Sequence, residues 1–167
     1  MSKVLVLGAT GGIGGEVARQ LSAAGWEVCA LTRDVDKARR QNPALTWLKG
    51  DALDRAAVIA AARGCAVIVH GVNPPGYRHW AEQVLPMIDN SIAAAIAEGA
   101  TIVLPGTVYN FGPDAFPVLH EDSPQHPQTR KGTIRVQLEQ RLREASQQGA
   151  RVLIVRAGDF FGTRLAN

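Results

Sequence analysis

Seven residues near the start of the chain, Gly8-Ala9-Thr10-Gly11-Gly12-Ile13-Gly14, have the types and spacing to hold a phosphate through the backbone. A tight turn needs residues that tolerate positive φ, and a pyrophosphate resting on a helix N-terminus needs N–H groups that no side chain obstructs. Gly8, Gly11 and Gly14 are expected to meet both needs. Further on, Thr32-Arg33-Asp34 closes a second apolar run. A side chain at such a place reads the adenosine ribose, an acidic one taking the 2′-hydroxyl of NAD and a basic one the 2′-phosphate of NADP. Arg33 can pair with a phosphate and stack on adenine, and Lys37 and Arg39 can reinforce it, so NADP is the preferred cofactor; Asp34 leaves room for NAD. The plain alternative for Arg33 is a solvated charge beside a helix start.

Such residues need a frame to position them. Residues 4–7 form an apolar run, and Val17, Ala18 and Leu21 recur at helical spacing after the glycine turn, with Gly25 as the stop. Strands then follow at 26–31, 45–48, 66–70, 102–104 and 152–155, and helices at 38–40, 56–62, 80–97 and 133–147. Asp34 or Asp36 caps the first short helix, Asn42-Pro43 ends it, and Asp54 opens the next. Asn73-Pro74-Pro75-Gly76 reads as a loop, and Pro86 is expected to kink the long helix after it. Residues 105–129 contain five prolines and no sustained periodicity, which reads as a long irregular segment of the kind that carries function. This alternation argues an α/β fold, a single domain built on a Rossmann-type doubly wound parallel sheet of about six strands with helices on both faces.

With 167 residues, 46% hydrophobic and 20% charged, the chain can bury one core. The formal charge of +3 is dispersed and no basic cluster interleaves with aromatics, which argues against nucleic acid as a partner. Cys29 and Cys65 show no metal-ligand spacing, so no metal is expected, and two buried reduced thiols fit a cytoplasmic protein. Lys3 leads straight into the first strand with no room for a signal peptide, and no apolar stretch is long enough to span a bilayer, so no membrane partner is expected.

The spacing Gly8-x-x-Gly11-x-x-Gly14, with Thr10 before the second glycine, resembles the nucleotide fingerprint of the extended and atypical short-chain dehydrogenase/reductase proteins, also described as the NAD-dependent epimerase/dehydratase family. Later landmarks follow in the family's order. Gly50-Asp51, with Ala52 and Leu53 beyond it, resembles the acidic position that accepts a hydrogen bond from the adenine amino group; Asp51 is otherwise a helix cap. His70-Gly71-Val72-Asn73 stands where the family has a His-x-Ala-Ala segment whose backbone lies along the cofactor, and the small Gly71 allows that approach. His70 itself reads as structural, and Asn90 loosely resembles a helix asparagine of the family.

The resemblance also locates the chemistry. Thr107-Val108-Tyr109-Asn110-Phe111-Gly112 matches the loop that carries the family's catalytic hydroxyl, which implies that role for Thr107, and Glu121-Asp122-Ser123-Pro124 resembles the segment before the next helix. Where the family has Tyr-x-x-x-Lys, this chain has Lys131-Gly132-Thr133-Ile134-Arg135. In the family the tyrosine is the acid or base and the lysine holds the nicotinamide ribose, and both are replaced here. Arg135 can still hold ribose hydroxyls. Lys131 is either a proton donor, favoured by the cation one helical turn away, or a solvent-facing charge. Tyr109 is either a substitute acid or a packed loop aromatic. Arg156-Ala157-Gly158-Asp159-Phe160-Phe161-Gly162 resembles the Arg-Pro-Gly element that leads into the family's substrate lobe, a lobe this chain is expected to lack.

Three readings follow: an NADP-dependent oxidoreductase or epimerase acting on an unknown small substrate, a non-catalytic dinucleotide-binding or redox-sensing protein, or an inert truncated domain. Family dimers pair the two helices that flank strand five, so a homodimer is conceivable, but Glu139, Arg141, Arg143 and Glu144 argue against a simple apolar interface.

Overall fold

A computed structural model describes residues 2–74 and 80–158. Pro75 and Gly76 of the expected loop, and Asp159 to Gly162 of the last motif, lie outside the described residues. The elements run β1 (Lys3–Leu7), α1 (Gly12–Ala23), β2 (Glu27–Thr32), α2 (Val35–Gln41), β3 (Thr46–Lys49), α3 (Arg55–Ala61), β4 (Val67–His70), α4 (Trp80–Glu98), β5 (Thr101–Thr107), α5 (Arg130–Gln147) and β6 (Arg151–Ala157), with a 3-10 turn at Pro113–Ala115. The six strands form one sheet in the order β3-β2-β1-β4-β5-β6, and all paired neighbours are parallel. This is the Rossmann arrangement that the alternating pattern implied.

The central strands are apolar throughout because both faces of the sheet are covered. Side chains alternate across a strand, so Leu5, Leu7, Ile68, Ile102 and Leu104 share one face with Ile88 of α4 and Leu138 and Leu142 of α5. Val4, Val6, Val28, Ala30 and Val69 point the other way, toward Ala18 of α1 and Ala38 of α2. Truncating a wholly buried member such as Ile102 to alanine would cost about 2–5 kcal/mol, a large share of a domain's net stability.

Two boundaries differ from the sequence reading in ways that bear on the site. β5 continues through Pro105 and Gly106 to Thr107 instead of stopping before the prolines. The ladder tolerates Pro105 because β4 pairs with β5 only as far as Val103, while β6 pairs to its end. α5 begins at Arg130, three residues before the expected start, since the Thr129 hydroxyl accepts the Gly132 N–H at 3.0 Å and caps the helix there. α4, as expected, runs through Pro86 as one helix of 19 residues.

Candidate functional site

The carboxyl ends of β1 to β4 open onto a cleft of about 800 Å³. It lies where the strand order reverses between β1 and β4, the place at which open α/β sheets take up ligands.

The turn from β1 to α1 is held there by three interlocking glycines. Gly8 has φ +83°, and a Cβ on it would lie 2.4 Å from the Gly71 carbonyl oxygen. A Cβ on Gly14 would lie 2.4 Å from the Gly8 carbonyl oxygen, and one on Gly71 would lie 3.0 Å from that of Leu7. Of the three glycines expected to take positive φ, only Gly8 does so. Gly11 is extended at φ −92°, and Gly14 lies inside α1, where the missing Cβ lets the helix sit directly on the turn. No side chain caps α1 and no acidic residue occupies its first turn. The N–H groups of Gly12, Ile13 and Gly14 therefore stand at the cleft wall without intrahelical acceptors, and their partial positive charge suits a pyrophosphate. Thr10 and Gly11 line the same wall.

At the opposite end, Arg33 and Lys37 line the cleft beyond β2. The Arg33 side chain is 79% exposed, with Nη1 3.9 Å from Asp51 Oδ2. Asp34, the acidic alternative at this position, accepts the Lys37 N–H at 3.0 Å and caps α2. Asp51 is not a helix cap: its Oδ1 accepts the Leu53 N–H at 3.0 Å, whereas Asp54 caps α3 through the Ala56 and Ala57 N–H groups. Asn90, on α4, donates to the Ala52 carbonyl at 2.9 Å and so fixes the Asp51-Ala52-Leu53 turn against the cleft.

Beyond β4, Gly71, Val72 and Asn73 complete the lining. Asn73 Oδ1 accepts the Trp80 indole N–H at 2.9 Å, and Arg135 Nη2 lies 3.5 Å from the same oxygen with its guanidinium 5.0 Å from the Trp80 ring centroid. The sequence reading missed Gln83 and Met87, which line the cleft from α4. Their i, i+4 spacing puts them on one helix face, but nothing local says which way that face turns.

Thr107, Tyr109, Lys131 and Arg135 are not among the described residues that line the cleft. The first three are brought together beside it. Thr107 is buried, with its hydroxyl oxygen accepting the Tyr109 N–H at 3.0 Å, and Lys131 Nζ stands 4.7 Å from the centroid of the half-exposed Tyr109 ring. A Cβ on Gly132 would lie 2.3 Å from the Tyr109 carbonyl oxygen, so the first turn of α5 rests on this loop. Arg135 lies with Trp80 and Asn73.

Behind Thr107 lies an ion pair between Arg156 and Glu139, a residue the sequence reading counted among the charges of α5. Arg156, on β6, donates to both carboxylate oxygens of Glu139 at 2.8 and 2.9 Å and to the Thr107 carbonyl at 2.6 Å, while stacking over Phe111. Glu139 is only 1% exposed and also accepts from Gln125 at 2.8 Å. It therefore takes no part in the charged surface of α5. No local signal marks the pair, because Arg156 reaches Glu139 only once β6 has docked beside β5.

His70 is buried at the end of β4, with Nδ1 2.8 Å from the Ser91 hydroxyl. That hydroxyl donates to the Met87 carbonyl at 3.2 Å, which assigns the ring proton to Nδ1. Burial, followed by the charge of Arg135, lowers the imidazole pKa to about 3. His70 is thus a neutral packing residue, as the sequence implied.

Residues 8–160 match the NAD(P)H-binding domain family. The chain belongs to that family. This NAD(P)H-binding domain is 33% identical over 134 residues to the 3-diazoavenalumate denitrifying reductase of a Streptomyces species, a match covering 73% of the chain and 43% of that protein. Its fold is similar to that of the UDP-Glc/GlcNAc 4-epimerase of Campylobacter jejuni, with a TM-score of 0.79 at 22% identity over 93% of this chain and 53% of the other. The UDP-glucose 4-epimerase of Thermus thermophilus, solved in complex with NAD, gives a TM-score of 0.81 at 23% identity over 98% of this chain and 57% of the other. The NAD(P)H-binding domain thus spans about half the length of these relatives. The dinucleotide-binding family read from the glycine turn onward is borne out, and the fold is one that this chain shares with the epimerases. No helix among the described residues is long and apolar enough to cross a membrane.

Proposed function

We propose that residues 1–167 act as one domain that binds NADP(H) in preference to NAD(H) and serves as the cofactor-binding part of a cytoplasmic reductase acting on a small molecule. The observation that carries the preference is the division of labour after β2. Asp34 is committed to capping α2, whereas Arg33 extends into the cleft with its guanidinium exposed. A 2′-phosphate finds a cation there, and a 2′-hydroxyl finds no uncommitted carboxylate on that turn. The glycine turn suits a pyrophosphate, because the missing Cβ atoms at Gly8 and Gly14 let β1, the turn and α1 pack closely enough to bring the first N–H groups of α1 to the cleft wall. In this reading the N–H groups of Gly12, Ile13 and Gly14 hold the pyrophosphate, Asp51 faces the adenine, and Gly71 to Asn73 flank the rest. When bound, a reduced nicotinamide supplies hydride. Tyr109, whose ring faces the Lys131 ammonium and whose backbone N–H is accepted by the Thr107 hydroxyl, would deliver the matching proton in this reading. The reductase among the relatives supports a reductive direction.

A second reading is a dinucleotide sensor without turnover. It is supported by Lys131 and Arg135 in the Tyr-x-x-x-Lys positions and by their stacking on Tyr109 and Trp80. Under either reading a homodimer would use the groove between α4 and α5, about 640 Å³ in volume and bordered by Leu85, Ile92 and the Asp89–Arg141 ion pair. Thermal denaturation with each nucleotide tests the binding proposal, since a ligand that binds only the folded state raises Tm. NADPH should raise Tm further than NADH at equal concentration; equal shifts, or none, would contradict it.

A further inference from the structure

Residues 108–111 form a turn closed by the Phe111 N–H, which donates to the Val108 carbonyl at 3.2 Å, with Tyr109 and Asn110 at its two corners. The usual sorting is inverted there. The aromatic Tyr109 is 48% exposed, whereas Asn110 is 0% exposed. Its amide carries two N–H donors and a carbonyl oxygen into the interior, and among the described residues neither Nδ2 nor Oδ1 meets a hydrogen-bond partner. Other buried polar side chains are all held: His70 by Ser91, Asn90 by the Ala52 carbonyl, and Glu139 by Arg156 and Gln125. An amide buried without partners is costly, and folded proteins pair such groups with protein atoms or with ordered water.

The turn is not free to swing outward and wet the amide. On one side of Asn110, a Cβ on Gly132 would lie 2.3 Å from the Tyr109 carbonyl oxygen; on the other, a Cβ on Gly112 would lie 2.2 Å from the His126 carbonyl oxygen. Phe111 is held as well, with the Arg156 guanidinium 4.9 Å from its ring centroid. Asn110 is thus fixed between two close backbone approaches to residues 126–132. We infer that the Asn110 amide anchors an internal water site, in which water accepts from Nδ2 and donates to Oδ1 and so fastens the Tyr109 turn from within. Water fits because it both donates and accepts and is small enough to be enclosed, and Asn110 presents no surface through which a larger ligand could reach it. The site lies apart from the cleft, whose described lining does not include Asn110, and it stands whatever the cleft binds.

Proton NMR of the 167-residue protein tests this through Overhauser transfer between water and the Asn110 Nδ2 protons, and that measurement needs no variant. The expected result is a cross peak with the sign of a long-lived bound water. Thermal denaturation of Asn110→Leu provides an independent readout. Leucine has nearly the shape of asparagine but can hold no water, so Tm should fall by roughly 3 °C or more. Absence of the water cross peak would overturn the inference. So would a Tm raised by Asn110→Leu, because an amide that binds no water is relieved when an apolar group of similar shape replaces it.

Discussion

Arg156 holds the buried carboxylate of Glu139 in a two-point ion pair and at the same time donates to the carbonyl of Thr107. One guanidinium thereby joins β6, α5 and the end of β5 directly behind the loop that carries Tyr109. Removing one partner of a buried pair leaves the other charged and unsatisfied, at a cost of about 3–5 kcal/mol. Arg156 retains some solvent contact, so Glu139→Gln is expected near the lower end, at about 3 kcal/mol. Urea denaturation of Glu139→Gln, Arg156→Met and a double variant checks it. The double variant should lose clearly less than the sum of the singles.

The glycine cradle makes a graded prediction. Gly25 and Gly8 share φ +83°, but a Cβ on Gly25 meets nothing within 4 Å, whereas one on Gly8 meets the Gly71 backbone at 2.4 Å. Gly25→Ala should therefore cost only the left-handed strain, about 1–2 kcal/mol. Gly8→Ala should cost more and should also abolish nucleotide binding, because the turn must move. Paired thermal denaturation and nucleotide titration separate the two effects.

Acid should weaken the fold through His70. Its folded pKa, lowered to about 3, lies below the unfolded value near 6.5, so between those limits the unfolded chain binds the extra proton. Stability contributed by the neutral ring is complete above about pH 6.5 and is lost as pH falls toward 3, at up to about 1.4 kcal/mol per pH unit. Replacing His70 with Asn should lower stability at neutral pH and flatten that slope. An unchanged slope between about pH 6 and 4 would contradict the assignment.

Much of this arrangement was legible in the sequence because strand and helix patterns are local. Residues 4–7 and 66–70 read as buried strands from their apolar runs alone, and the glycine turn announced the crevice they flank. What escaped was decided by contacts between distant segments. Pro105 looked like a strand breaker until β4 proved to stop pairing at Val103. The helix expected from residue 133 starts at Arg130, and the missing Cβ of Gly132 is what lets that first turn of α5 approach the Tyr109 carbonyl. Glu139 resembled its exposed neighbours because its partner lies 17 residues further along the chain, on another element. Gln83 and Met87 gave no sign of facing the cleft, since the rotation of α4 is set by Ile88 and Trp80 packing into the core. Arg33, Asp51 and Gly71 were readable because each follows directly from a strand end, where open α/β sheets place their ligand contacts.

The central claim is that Arg33 makes this an NADP(H) site. Fluorescence titration of the native protein and of Arg33→Ala with NADPH and NADH gives four dissociation constants. The expected result is that NADPH binds the native protein at least about tenfold more tightly than NADH, and that Arg33→Ala removes most of this difference by weakening NADPH while leaving NADH nearly unchanged. Equal affinities in the native protein, or a preference that survives Arg33→Ala, would contradict it.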